Sequence, residues 1–172
     1  MKRTLALVML TVLVMIAPTC FADELVSMTI PSFDGTPIAT QEELNTEAGE
    51  WYESAVLNED GSVTYRLTQE KRNEAIASFV AEVDKEFHKM IESEDYPNFV
   101  GIERNESFTE YTIETKSEEL DLNETFSFMI FMLDSAMYHA MNGTEPDDVV
   151  VTYVNTESGM VIHEIKLSEM GE

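Results

Sequence analysis

An α+β fold is predicted for this chain, on three observations. Turn-forming clusters centred near residues 60, 106 and 157 each lie between two β-forming runs, so three hairpins are expected. Two stretches with apolar residues three and four apart fill the gaps between them, as amphipathic helices would. The chain is 44% hydrophobic, which argues for a packed core rather than disorder. The expected architecture is one antiparallel sheet of about six strands in the order ββα-ββα-ββ, with two long helices packed on one face.

The elements follow from local chemistry. Leu25 to Ile30 reads as a strand that the turn Pro31-Ser32-Phe33-Asp34-Gly35-Thr36-Pro37 ends. Thr40 with Glu43 forms a capping box for a short helix to about Ala48, and residues 23–49 are read as an N-terminal arm. Residues 50–172 are read as the α+β domain itself. Trp51 to Leu57 and Ser62 to Leu67 make the first hairpin across Asn58-Glu59-Asp60-Gly61, where Gly supplies the positive φ. Thr68 caps a helix to about Glu92, with Ile76, Phe79, Val80, Val83, Phe87, Met90 and Ile91 on one stripe. Pro97 stops it by holding Tyr96 extended. Phe99 to Arg104 and Phe108 to Thr115 make the second hairpin. A second helix starts between Ser117 and Asn123 and ends at Asn142-Gly143, where Gly can take the left-handed cap. Asp148 to Val154 and Met160 to Leu167 make the third hairpin. The second helix differs from the first in being apolar over most of its circumference, so it is either central to the core or partly an interface.

The first 22 residues predict a destination. Lys2 and Arg3 precede a nearly unbroken apolar run from Leu5 to Ile16, then Pro18-Thr19-Cys20-Phe21-Ala22, the layout of a secretory signal peptide. The apolar run is short for a membrane span. Cleavage near Ala22 would leave 150 of the 172 residues and a secreted or extracytoplasmic protein. Cys20 is the only cysteine, so such a mature chain would have no disulfide, thiolate metal site or cysteine nucleophile. Lipid anchoring through Cys20 is the less favoured alternative, because Ala17-Pro18-Thr19 is a poor context for it. Asn105, Asn123 and Asn142 begin Asn-x-Ser/Thr triplets.

Charge narrows the partners. With 10 basic and 34 acidic residues the net charge is -24, and removal of the two basic signal residues takes it to -26. Such a surface repels phosphate backbones and anionic lipid, so nucleic acid is not an expected partner. A protein or peptide partner, cationic if charge guides the encounter, is compatible with it. A homodimer through an edge strand or the second helix is compatible as well.

The segment Asp60-Gly61-Ser62-Val63-Thr64-Tyr65, the acidic amphipathic helix, Ser93-Glu94-Asp95-Tyr96-Pro97, and Ile102 with Phe108-Thr109 resembles a loose group of small exported proteins and lipoproteins of gut-type Gram-positive bacteria. The resemblance covers about residues 50 to 115. It implies an exported bacterial protein and carries over no functional residue, because its motifs are turn and helix-stop chemistry.

No catalytic, cofactor-binding or metal-ligating residue is assigned, and no cofactor is expected. His88, His139 and His163 fall on three different elements, without the close spacing of a prebuilt zinc site. His139, on the apolar helix, is the one that needs a partner, expected to be a strand-edge or hairpin hydroxyl. The carboxylate neighbours Glu92/Glu94/Asp95, Glu118/Glu119/Asp121/Glu124 and Asp147/Asp148 are what an acidic composition produces anyway. Asp121-x-Asn123-x-Thr125 opens like a calcium loop, but Phe126 and Met132 stand where Gly and Glu are required. The expected function is therefore a non-enzymatic binding domain, acting through a sheet face, a sheet edge or a groove beside the second helix. Two alternatives are an envelope or extracellular hydrolase with a noncanonical carboxylate or His site, and a protease-inhibitor-like domain.

Overall fold

The length of each helix between hairpins decides how the hairpins meet. The computed structural model of the protein describes residues 24–170; the expected signal segment and Cys20 lie outside them. The described chain begins with strand β1 (Leu25–Ile30), helix α1 (Gln41–Glu47), the hairpin β2 (Ser54–Leu57) and β3 (Val63–Thr68), and helix α2 (Gln69–Glu92). The hairpin β4 (Phe99–Arg104) and β5 (Glu110–Thr115) follows, then helices α3 (Leu122–Phe126) and α4 (Phe128–Asn142). The hairpin β6 (Val150–Asn155) and β7 (Val161–Lys166) and a 3-10 turn at Leu167–Glu169 close it.

The 24 residues of α2 extend about 36 Å, against about 20 Å for the six-residue strand β3. The helix overshoots its sheet, and the next hairpin starts a new one. The 15 residues of α4 extend about 22 Å, close to the length of β5. The chain is thereby returned to the start of β5, and β6 pairs with it in parallel, from Glu110 opposite Val150 to Thr115 opposite Asn155.

The single antiparallel sheet of about six strands with two long helices on one face is therefore corrected. The α+β class stands, but there are two sheets: a three-stranded antiparallel one, ordered β1-β3-β2, and a four-stranded mixed one, ordered β4-β5-β6-β7. Each of the three hairpins pairs as an antiparallel unit. Local turn chemistry builds them, but it says nothing of how one hairpin meets the next. The expected second helix is also two segments, α3 and α4, meeting at Ser127, whose hydroxyl donates to Glu124 O and lies 2.8 Å from Tyr153 Oη. Among the described residues no helix is long and apolar enough to cross a membrane.

Two apolar clusters follow the two sheets. Met28, Leu44, Tyr52, Val63, Leu67 and Met141 are buried in the smaller one, under the first sheet. The larger joins Val83, Phe87 and Met90 of α2 and Phe131 of α4 to Tyr111, Ile113, Val151 and Tyr153 of the second sheet. Phe79 packs against both, so the long helix carries one stripe across two cores. β1 pairs along its length with β3, and the Thr40–Glu43 capping box starts α1, whose Leu44 is buried and whose carbonyl accepts from Tyr52 Oη at 2.8 Å.

One turn breaks the expected alternation. Tyr111, Ile113 and Thr115 face inward, which would put Phe108 outward on a continuous strand. The strand instead begins at Glu110, and Phe108 takes a φ of 58° that turns its ring into the core. There it stacks on Tyr138 at 4.3 Å, with the Arg104 guanidinium 4.0 Å from its ring centre. Left-handed backbone costs a non-glycine residue about 1–2 kcal/mol, less than the roughly 1.5–3 kcal/mol gained by burying a Phe side chain.

Candidate functional site: a cleft beside α4

The apolar circumference of α4 is divided among three environments. Phe131 enters the core, Met129 and Leu133 face outward, and Met132, Ala136 and Ala140 form the floor of a cleft. The cleft encloses about 390 Å³ and is walled by Pro31 and Phe33 from the β1–α1 loop, Thr144 to Pro146 after α4, Val149, and Leu167. A second, shallower recess of about 280 Å³ shares Phe33, Met132, Ala136 and Leu167 with it and continues to Phe128, Met129 and Met170. Together they form one apolar groove along the helix.

Local chemistry holds the walls. Asp34 accepts the Thr36 N–H at 2.8 Å, and Ser32 Oγ donates to Thr36 O at 2.9 Å, which closes the loop that presents Phe33. The Thr36 backbone bond also holds the Asp34 carboxyl below its ordinary range. This loop rests on the β2–β3 turn, where a side chain at Gly61 would lie 2.8 Å from Gly35 O. On the opposite wall, Asp148 accepts Ser168 N–H and Oγ–H at 3.0 and 2.8 Å and Val149 N–H at 2.8 Å. The Ser168 backbone bond is the main reason its pKa is lowered. These bonds fix Leu167 at the cleft.

Two polar residues are among those lining the cleft. Ser135 is 1% exposed and His139 8%, four residues apart and hence one turn apart on the same face of α4. His139 Nδ1 lies 2.8 Å from Thr144 Oγ1, while its Nε2 and Ser135 Oγ have no partner among the described residues. Both atoms have essentially no accessible surface, so the lining the cleft presents is mainly apolar. The partner expected for His139 was a strand-edge or hairpin hydroxyl; the hydroxyl found lies in the loop following its own helix.

The remaining residues considered from the sequence do not converge. His88 Nδ1 lies 2.9 Å from Asp84 O on the exposed side of α2, and His163 lies on β7 near Tyr153. Among the described residues no three His, Cys, Asp or Glu side chains are grouped to hold a metal ion. Asp121 is an N-cap: it accepts Glu124 N–H at 2.9 Å and Glu124 returns the bond at 3.0 Å, so the calcium-like spacing is a capping box. Glu124 is fully buried and also accepts from Ser117 Oγ and Asn98 Nδ2 at 2.7 and 3.2 Å, tying α3 to the end of the second sheet. Asn105 and Asn142 spend their side chains on the β4–β5 turn and on Tyr138 O.

Two features went unread in the sequence. Ser135 was one, although a serine four residues before a histidine on an apolar helix was the available signal. Asp134 was the other. It faces a separate recess between α4 and α2, with Glu82, Glu86 and Val83 across from it. Burial raises its pKa to about 6, with Arg104 opposing and Glu86 adding to the rise. Nothing in its residue type distinguished it from 33 other acids.

Compared with known proteins, the chain matches no family model, no curated protein and no solved structure at the significance required of a relative.

Proposed function

We propose that this is an exported, non-enzymatic binding domain whose ligand enters the groove beside α4 with an aliphatic portion. The observation that carries the reading is the apolar groove itself, lined along its length by Phe33, Met132, Ala136 and Leu167. Its volume falls in the range of small-molecule pockets. The methionines along it, Met129, Met132 and Met170, adapt to variable apolar shapes. The net charge of -24 selects against anionic partners at long range.

A hydrolase is the second reading, favoured by one observation: a serine and a histidine share the cleft. Against it, Ser135 and His139 are not hydrogen-bonded to one another. Ser135 also sits inside α4, where backbone N–H groups are spent on the helix and cannot form an oxyanion hole.

Fluorescence titration with Nile red, an uncharged apolar probe, tests the reading. The protein should bind it saturably, and Ala136→Trp, which fills the cleft floor, should weaken binding at least about tenfold without loss of the folded near-UV CD signal. Binding insensitive to Ala136→Trp removes the groove as the site. Turnover of p-nitrophenyl butyrate that disappears in Ser135→Ala replaces binding by hydrolysis.

A further inference from the structure

We infer that the groove beside α4 receives an amphipathic helix of a partner protein, with its apolar face down and basic residues along its flanks. The inference rests on the groove being a binding site and adds the class of partner. Five large apolar side chains there stand about half exposed: Phe33 54%, Met129 59%, Leu133 45%, Leu167 45% and Met170 50%. All five border one recess, so they form a single accessible patch. Contiguous apolar surface of this kind marks an interaction site, whereas scattered apolar residues do not.

Shape selects a helix. None of the described residues lining the two recesses belongs to a strand, and the α4 backbone is committed to its own helix. An extended peptide laid there would find no strand edge for its backbone groups, whereas a helix satisfies its own. The lining runs along α4 from Phe128 to Ala140, about 18 Å or roughly three turns. Charge selects the flanks. Glu145 lines the cleft, Asp34 follows Phe33 on one wall, and Glu169 stands between Leu167 and Met170 on the other. Among the described residues no Lys or Arg lines either recess, and the neighbouring Lys166 is already paired with Glu164 and Glu169. An acidic rim around an apolar floor is complementary to a basic amphipathic helix. A second copy of this chain would bring the same acids against it, at a net charge of -24 each.

The test uses three fluorescein-labelled peptides of about 14 residues, long enough to span the groove as helices, followed by fluorescence anisotropy. One has leucines at helical spacing and lysines elsewhere; the second replaces its lysines by glutamates, and the third its leucines by serines. The leucine-lysine peptide should bind, and each of the others at least about tenfold more weakly. Ala136→Trp should weaken it at least about tenfold, with near-UV CD checking the fold. Glu145→Gln combined with Glu169→Gln should weaken it about fivefold. Glu82→Gln combined with Glu103→Gln removes the same charge from α2 and from β4, the sheet edge opposite β7, and should change binding less than about twofold. Equal weakening by the two pairs, equal binding of the lysine and glutamate peptides, or binding insensitive to Ala136→Trp overturns the inference. So does a dimer in sedimentation velocity that Ala136→Trp separates, which assigns the groove to a second copy. Nile red binding without peptide binding overturns the partner and keeps the groove; loss of both overturns the groove itself.

Discussion

The second sheet is covered jointly, by Val83, Phe87 and Met90 of α2 and by Phe131 of α4, which lies in the connection between β5 and β6. In the first sheet the chain enters by β1, leaves by α2, and borrows a covering residue, Met141, from the far end of α4. One sheet is covered by the later part of α2 together with α4, the other by α1, the start of α2 and the last turns of α4. The tie between them is specific: Arg72 Nε on α2 donates to Met141 O at 2.8 Å, at the end of α4. The difference teaches that a helix matched to its strand builds one sheet, while a helix half as long again divides the molecule and must then bridge both halves.

The strongest way to break that comparison is to cut each core from the same helix. Phe131→Ala, in the core of the second sheet, should lower the free energy of unfolding by about 3–5 kcal/mol, and Met141→Ala, in the core of the first, by about 2–3 kcal/mol. Urea unfolding followed by both near-UV and far-UV CD measures this. One shared transition in both variants means that the halves fold as one unit, and two separated transitions mean that the bridge is weak.

Next in size is Glu124→Leu, which leaves Ser117 Oγ and Asn98 Nδ2 without their buried acceptor and should cost about 2–3 kcal/mol. Its loss should fall on the second sheet, read as faster hydrogen exchange near Thr115 and Asn155. Gly61→Ala tests the first sheet. It places a side chain at a φ of 83° and 2.8 Å from Gly35 O, so a loss of about 1–2 kcal/mol is expected. Because that contact supports the Phe33 loop, Nile red binding should weaken alongside.

The smallest effect is a gain. Asp134 lies between the two bridging helices, and its folded pKa of about 6 stands above the ordinary 3.8. A raised carboxyl pKa makes a contribution to stability that is fully present below pH about 3.8 and lost as the pH climbs through about 6. Asp134→Asn keeps the uncharged form at every pH. Thermal unfolding should show it more stable than the unsubstituted protein by about 1 kcal/mol at pH 7.5, a value discounted for the side chain's partial exposure, and indistinguishable from it near pH 4.

What the sequence made legible was local. The turns at Gly61 and Gly143, the caps at Thr40 and Thr68 and the stripe of α2 depend on neighbours within a few residues, and they stand where the residue types put them. What it concealed was distance. Whether β6 would pair with β5 in parallel depends on the reach of α4 relative to β5, a comparison of lengths that no residue type announces. Phe108 misled for the opposite reason: a β-forming aromatic beside a strand reads as strand, and only its backbone reversal brings the ring inside. The cleft was half legible. His139 stood out as a polar group on an apolar helix, but Ser135 is chemically ordinary, and the Pro31–Phe33 wall comes from a segment 100 residues earlier in the chain.

The parallel pairing of β5 with β6 also has a consequence in time. As the chain emerges from its N-terminus, every strand of the first sheet is present once Thr68 has appeared, but β5 must wait some forty residues for its central neighbour and longer still for β7. Until Asn155 is available, Tyr111 and Ile113 lack their neighbours Val151 and Tyr153 on β6. A nascent chain halted before Val150 would thus carry a finished amino-terminal sheet beside an unfinished, adhesive one, the stage at which a chaperone holding its carboxyl-terminal portion would do most good.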